Sequence, residues 1–371
     1  MGQHPELPMW LALRRAGLGS TNFALLLKAF GNVEEAWGAS SEAIGRAGID
    51  PQFVRAFQKA RTGYDPDGEL AALEKHGIRA YTWLDEDFPV SLREIPQSPP
   101  VVFVRGSLGP QFEHAVAVVG TRKVTPYGRQ ATEHFCEALA RAGVAIISGL
   151  ARGVDAIAHR VALEGGAPTV AVLAGGIDRV FPPENQGLAE RIVTQGCLVS
   201  EYPVGIPPRP DYFPRRNRIL SGLAKATLVV EAGQGSGALH TANWAFEQRR
   251  DVFAIPGTVF SRQSEGTNQL IRESTAKLVA TPGQLLEEIN LLSANGQMPL
   301  VANGAAKKAE PRPAASQDEG KILHWLREGP AHVDEIVRAS GLPVSFVSST
   351  LQLLELKGLV RQEMPLVYTQ A

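Results

Sequence analysis

Hydrophobic and polar positions change their rhythm twice along the chain. From Pro8 to about Arg61, Leu11, Leu13, Phe23, Leu26, Leu27, Phe30, Val33 and Trp37 recur between short polar breaks, which predicts a small bundle of helices. Gly17-Leu18-Gly19-Ser20 joins two of them. Such a hairpin presents backbone N–H groups to a DNA phosphate in some proteins and merely connects helices in others; the pattern leaves both open, with Arg14, Arg15 and Lys28 the nearest cations. Thr62 to Glu69, polar with Gly and Pro, marks a boundary. Beyond it Leu70 to His76 reads as helix, Ile78 to Trp83 as strand, Asp85 to Pro89 as turn and Val101 to Val104 as strand, ended by Gly106.

From Val116 onward short apolar runs alternate with helical spacing. Strands are expected at Val116–Val119, Val144–Ile147, Thr169–Leu173, Cys197–Ser200, Leu228–Glu231 and Val252–Ile255, and helices at Thr125–Ala142, Val154–Leu163, Asn185–Gln195 and Leu239–Arg249. This alternation implies right-handed crossovers and a doubly wound, mainly parallel sheet of the extended Rossmann-like α/β class.

Ligands of such sheets collect beyond the carboxyl ends of the strands. The residues there are Gly120-Thr121-Arg122-Lys123, Ser148-Gly149-Leu150-Ala151-Arg152-Gly153, Gly175 to Pro183 with Arg179 and Phe181, Glu201-Tyr202-Pro203, Gly233-Gln234-Gly235-Ser236-Gly237 and Pro256-Gly257. Within Val144 to His159 a helix beginning near Asp155 leaves unpaired N–H groups, Gly149 and Gly153 permit close backbone approach, and Ser148 and Arg152 suit phosphate. One such turn more often only connects strand to helix. Several on one edge, with cations on three, point to an extended anionic ligand. The stretch Pro207–Lys225, read as a loop, adds Arg209, Arg215, Arg216, Asn217, Arg218 and Lys225 around Tyr212 and Phe213, a mixture of cations and flat rings expected for single-stranded nucleic acid.

Ser293 to Gln317 is rich in Ala, Pro and Asn and reads as a flexible linker. After it, helices at Gly320–Leu326, Val333–Ser340 and Val344–Leu356 and strands at Leu359–Arg361 and Leu366–Tyr368 follow winged-helix order. The expected recognition helix offers Ser345, Ser348, Ser349, Gln352 and Lys357, a poor match to a duplex, so contact with protein is as well supported as contact with DNA.

The length of 371 residues suits two or three domains, and the net charge of −1 means that any polyanion site depends on local clustering. Cys136 and Cys197 lie among apolar neighbours, as expected of reduced buried thiols. Without a signal peptide at Met1–Glu6 or an apolar run long enough to span a bilayer, a cytoplasmic protein with no membrane insertion is expected. His134, His159 and His240 match no metal-ligand spacing, Asp155 is best read as a helix-capping acid, and the absence of Walker and G-x-G-x-x-G motifs speaks against ATP and NAD. No cofactor or metal is expected.

The segments V-A-V-V-G-T-R-K, I-I-S-G-L-A-R-G-V-D-A-I-A-H, L-V-S-E-Y-P, F-P-R-R-N-R-I-L-S-G-L and G-S-G-A-L-H-T-A strongly resemble the DNA-processing protein A family (DprA, also called Smf), over roughly Leu70 to Leu292. The resemblance implies a small helical domain, SAM-like or helix-hairpin-helix, over 1–65; an extended Rossmann domain over 66–292; and, past a linker at 293–317, a winged helix over 318–371. It further implies a non-catalytic homodimer that binds and protects single-stranded DNA and loads the RecA recombinase during natural transformation. By that resemblance Arg122, Ser148, Gly149, Arg152 and Arg215 to Arg218 become DNA-contact candidates, beside Lys123, Arg179, Phe181, Gly235, Ser236 and Gly237 from the rim. Where relatives commonly show Y-P, this chain has Phe181-Pro182, which keeps a stacking ring. The rival is a Rossmann-like nucleotide hydrolase, to whose P-G-G-x-G-T signature Gly233–Ala242 bears a faint similarity; the proline and second glycine are missing.

Overall fold

A computed structural model describes residues 4–109, 112 and 114–289, and in the C-terminal part residues 326, 329, 331–340, 344, 347, 350, 351, 354, 360–364 and 367–370. In chain order the strands of the main body are β1 Ile78–Thr82, β2 Val101–Gly106, β3 Val116–Val119, β4 Ile146–Ser148, β5 Thr169–Val172, β6 Cys197–Ser200, β7 Ala226–Val229, β8 Asp251–Ala254 and β9 Lys277–Leu278. They form one sheet in the order β1-β2-β6-β5-β4-β3-β7-β8-β9. All pairs from β6 to β9 are parallel, while β2 pairs antiparallel with both β1 and β6. The expected α/β class is therefore what the chain adopts.

Alternation along each strand sets the layers. Ala117 and Val119 on β3 pack with Ile219, Leu220 and Leu223 of helix α11 (Tyr212–Leu223) and Ala242 of α12 (Gly237–Glu247). Val116 and Val118 face the other way, onto Phe135 and Leu139 of α8 (Pro126–Arg141), Ile157 of α9 (Val154–Glu164) and Leu285 of α14 (Pro282–Glu288). These strands are buried on both faces, hence their largely apolar sequence.

Helices α1 Leu7–Arg15, α2 Ser20–Phe30, α3 Val33–Gly38, α4 Ser41–Arg46, α5 Pro51–Gly63 and α6 Pro66–Lys75 form the N-terminal layer. It shares a core with the sheet: Trp10 stacks on Phe23 at 5.0 Å and meets Trp83 edge-on at 6.0 Å, and Val101 and Phe103 of β2 belong to the same cluster. Arg15 pairs with the buried Glu69 of α6 at 2.5 Å, so packing is continuous across residue 65.

Several elements differ from expectation. The stretch Pro207–Lys225 is not a loop, since most of it is α11. Helix α13 (Glu265–Arg272) and the short edge strand β9 were not anticipated, and neither was α14. The linker 293–317 lies outside the described residues. In the C-terminal unit, helix Val333–Ser340 and the antiparallel strands Ala331–His332, Val360–Met364 and Val367–Gln370 are present, with Leu326, Val347, Leu351 and Leu354 buried beside them. Most of the other two expected helices, including Ser345, Ser348, Ser349, Gln352 and Lys357, lies outside the described residues.

His159 of α9 is fully buried, and its Nδ1 lies 2.8 Å from the Thr169 hydroxyl, which itself donates to the Ile146 carbonyl. Burial, helped by the Arg216 and Arg160 charges, pushes the ring from its usual 6.5 down to about 3. The unfolded chain thus binds one more proton between those values, so His159's contribution is complete above pH 6.5 and is lost as pH falls toward 3. Urea denaturation should show a loss of about 2 kcal/mol between pH 7 and pH 5 that His159→Gln does not share. An equal loss in that variant would refute the assignment.

Candidate functional site

The chain walks outward from β3 through β4 and β5 to β6, then returns to β7 beside β3. Where the order reverses, the loops after β3 and β7 diverge, and such a switch point opens a crevice at the carboxyl ends of the strands. Here it is a cleft of about 950 Å³, lined by Gly120–Lys123, Phe181, Phe213, Pro214, Asn217 and Gly233–Gly237.

Arg122 and Lys123 are exposed at its mouth and make no ion pair among the described residues. The Arg122 guanidinium lies 5.3 Å from the centre of the Phe213 ring, and Phe213 meets Phe181 edge-on at 5.8 Å. Phe181 is 43% exposed, an unusual amount of bare ring for an aromatic side chain. Across the cleft, Gly235 adopts φ +72°, and neither Gly235 nor Gly237 has a neighbour where a side chain would begin. Ser236 caps α12 through its hydroxyl, and the first turn of α12 contains no acid. Asn217, nearly buried, donates to the Gly237 carbonyl and ties α11 to that turn.

The N-termini of α8, α9 and α12 reach this rim, and the first two carry their own anion. Asp155 accepts from the N–H groups of Gly149 and Ala151 at 3.1 and 3.3 Å at the start of α9. Glu231 accepts from the Thr125 N–H and hydroxyl at 3.0 and 2.5 Å at the start of α8. Unlike α8 and α9, α12 presents its positive end without a carboxylate, and an anion is stabilised there by the unpaired N–H groups.

Several of the expected contact residues are buried. Ser148 is fully buried and donates to the Val118 carbonyl at 2.7 Å. A side chain at Gly149 would run into the Arg216 guanidinium, and one at Gly153, at φ +76°, into the backbone of Thr121 and Arg122. At both glycines the space a side chain would need is taken by the protein's own groups. Arg216 is 4% exposed; its Nη1 donates to the Gly149 and Val172 carbonyls, and Asp155 answers its charge. Burial pushes its guanidinium down to about 10, so it stays charged at neutral pH. Burial raises the Asp155 carboxyl, against the pull of Arg216 and the two N–H groups. Arg218, 6% exposed, is bound in a fork to Glu201 at 2.9 and 2.8 Å. Burial works against the charge on Glu201, yet Arg218 and Arg14 outweigh it and hold the carboxyl below the usual range.

Arg215 is exposed but does not line this cleft. Arg152 and Arg179 are exposed and paired, with Glu184 and with Asp178 respectively; solvent screens such contacts, which a stronger anion can replace. Phe213 is the site residue that the rim inspection missed, because it enters from α11 and not from a strand end.

The sequence profile of DNA recombination-mediator protein A matches residues 79–290, and that of the DprA winged helix domain matches residues 306–363. Protein Smf of Synechocystis sp. is 35% identical over 387 residues, covering 96% of this chain and 97% of that protein. The X-ray structure of DNA processing protein A from Streptococcus pneumoniae is similar with a TM-score of 0.65 and 33% identity, over 75% of this chain and 95% of that one. DNA processing protein A from Helicobacter pylori is similar with a TM-score of 0.52 and 26% identity, over 57% of this chain and 95% of that one.

Buried and exposed cations should separate in stability. Arg216→Ala leaves Asp155 uncompensated and should cost about 3 kcal/mol or more, while the double change Arg122→Ala, Lys123→Ala should stay within about 0.5 kcal/mol of the parent. Urea midpoints of the three proteins check this; equal midpoints would contradict it.

Proposed function

The chain belongs to the DNA recombination-mediator protein A family, that of the DprA and Smf proteins of DNA processing, and on that premise we propose that it binds single-stranded DNA in the cleft between β3 and β7. The observation that carries this reading is the meeting of unpaired cations with aromatic rings in one cleft: Arg122 and Lys123 with the exposed Phe181 and the half-buried Phe213. Phosphates need distributed positive charge, and bases outside a duplex need flat faces to stack on. The acid-free start of α12 adds backbone donors on the opposite wall. A duplex keeps its base faces stacked inside and gains nothing from the rings. The H. pylori relative is described as having a unique single-stranded DNA binding mode, which supports the same polymer here.

The role is binding without catalysis. The carboxylates nearest the cleft, Asp155 and Glu231, are occupied by backbone N–H groups of the rim loops, which supports binding over water activation and counts against a nucleotide hydrolase. Delivery of the protected strand to RecA recombinase during natural transformation, a homodimeric assembly and a cytoplasmic location complete the proposal, and family membership supports them. Among the described residues no helix is long and apolar enough to cross a membrane.

Fluorescence anisotropy over a salt series with labelled oligo-dT and its duplex should show preference for the single strand. Arg122→Ala, Lys123→Ala should lower the slope of log affinity against log salt by about 1.4. Phe213→Ala should weaken binding by about 1–3 kcal/mol with the slope unchanged. Equal affinity for duplex and strand, or variants that bind as the parent does, would overturn the proposal.

A further inference from the structure

A second cleft, of about 580 Å³, opens on the other side of the N-terminal turn of α11, between that turn and the hairpin joining α1 to α2. Arg14, Arg15, Arg209, Arg215 and Arg218 line it. Their acidic partners are fewer: Glu201 is shared by Arg14 and Arg218, Glu69 pairs with Arg15, and Asp211 lies 3.4 Å from Arg209. Arg215 makes no ion pair among the described residues. Five guanidiniums therefore face three carboxylates: Arg14 and Arg218 share one, Arg215 has none, and the exposed Arg209 has only the exposed Asp211.

The chemistry of its wall differs from that of the first cleft. Tyr202 and Tyr212 stack on each other at 4.1 Å, Arg14 lies over Tyr202 and Arg209 over Tyr212. No ring face of that pair is left for a base. What remains are guanidinium donors and the open hairpin of Gly17, at φ +87°, and Gly19, where an added side chain would meet nothing. Helix α2 has Gly19 as its N-cap with no side-chain cap, and no acid in its first turn. These groups suit phosphate and not base.

The two clefts share one turn. Phe213 and Pro214 face the first, and their chain neighbours Tyr212 and Arg215 face the second. We infer that the second cleft holds backbone phosphates of the same DNA strand as it leaves the first, crossing the N-terminal turn of α11 onto Arg209, Arg215 and the α2 hairpin. This rests on the single-strand reading of the first cleft. It gives the N-terminal helical layer a share in DNA binding: the first cleft holds bases and phosphates, the second phosphates alone.

The test compares the full chain with Arg209→Glu, Arg215→Glu, two exposed positions outside the first cleft, by anisotropy with oligo-dT of about five and about fifteen nucleotides. The short strand should bind both proteins alike. The long strand should bind the variant about tenfold more weakly, with a salt slope lower by about 1.4. An equal loss at both lengths would mean that the charges act on the first cleft through their general field, and overturns the inference. So does an undiminished long-strand affinity, which would leave the cleft to a free anion. A parent protein that binds neither strand overturns the single-strand reading as well, whereas a parent that binds both beside an unchanged variant overturns the second cleft alone.

Discussion

Arg216 carries a full charge into the interior, where its guanidinium donates to carbonyls at the carboxyl ends of β4 and β5 and is answered by Asp155. Desolvating an ion costs several kcal/mol, recovered only when geometry and hydrogen bonding are good, so few positions of α11 other than the observed one would tolerate it. Asp155 in turn holds the N–H groups of Gly149 and Ala151, and Gly153 of the same turn lies against the backbone of Thr121 and Arg122. One buried cation thereby sets α11 and the loops after β3 and β4 relative to one another. Phe213, less than one helical turn before Arg216, reaches Phe181 and Arg122 as a consequence.

The arginines of F-P-R-R-N-R divide their labour by depth. Arg216 and Arg218 are charges inside the protein, each with fixed partners, and cannot be lent to a ligand without leaving a carboxylate unpaired. Arg215, directly before Arg216 in sequence, is exposed, as are Arg122 and Lys123 across the first cleft. Charges in solvent interact weakly with single partners but sum along a polyanion. The buried pair thus builds the platform on which the exposed residues act, and the cleft follows from the fold's topology at the β3–β7 reversal.

Most of the sheet was legible because its strands are apolar on both faces and its turns rich in glycine; β4, for example, is displaced by only two residues at its start from the expected Val144. Helix α11 was hidden by the same arginines that make it important. Arg216 and Arg218 stand where a helix facing a core ordinarily carries apolar residues, so the periodicity of Ile219, Leu220 and Leu223 was cut short and the segment read as loop. The glycines after β4 were read as room for phosphate because sequence spacing shows that a side chain is excluded but not which group excludes it. Phe213 was visible as an aromatic among cations, yet its place beside Phe181 depends on a pairing between distant segments. Helix α13 and strand β9 lack a long enough apolar run to stand out.

On the proposed reading, bases of a single strand stack in the cleft between β3 and β7. Photocrosslinking of an oligo-dT carrying a few iodouracil bases, followed by mass spectrometry of the digested full chain, reads the contact directly. Adducts are expected on Phe213 or Phe181. Adducts confined to residues 318–371, with none on these two rings, would contradict that reading.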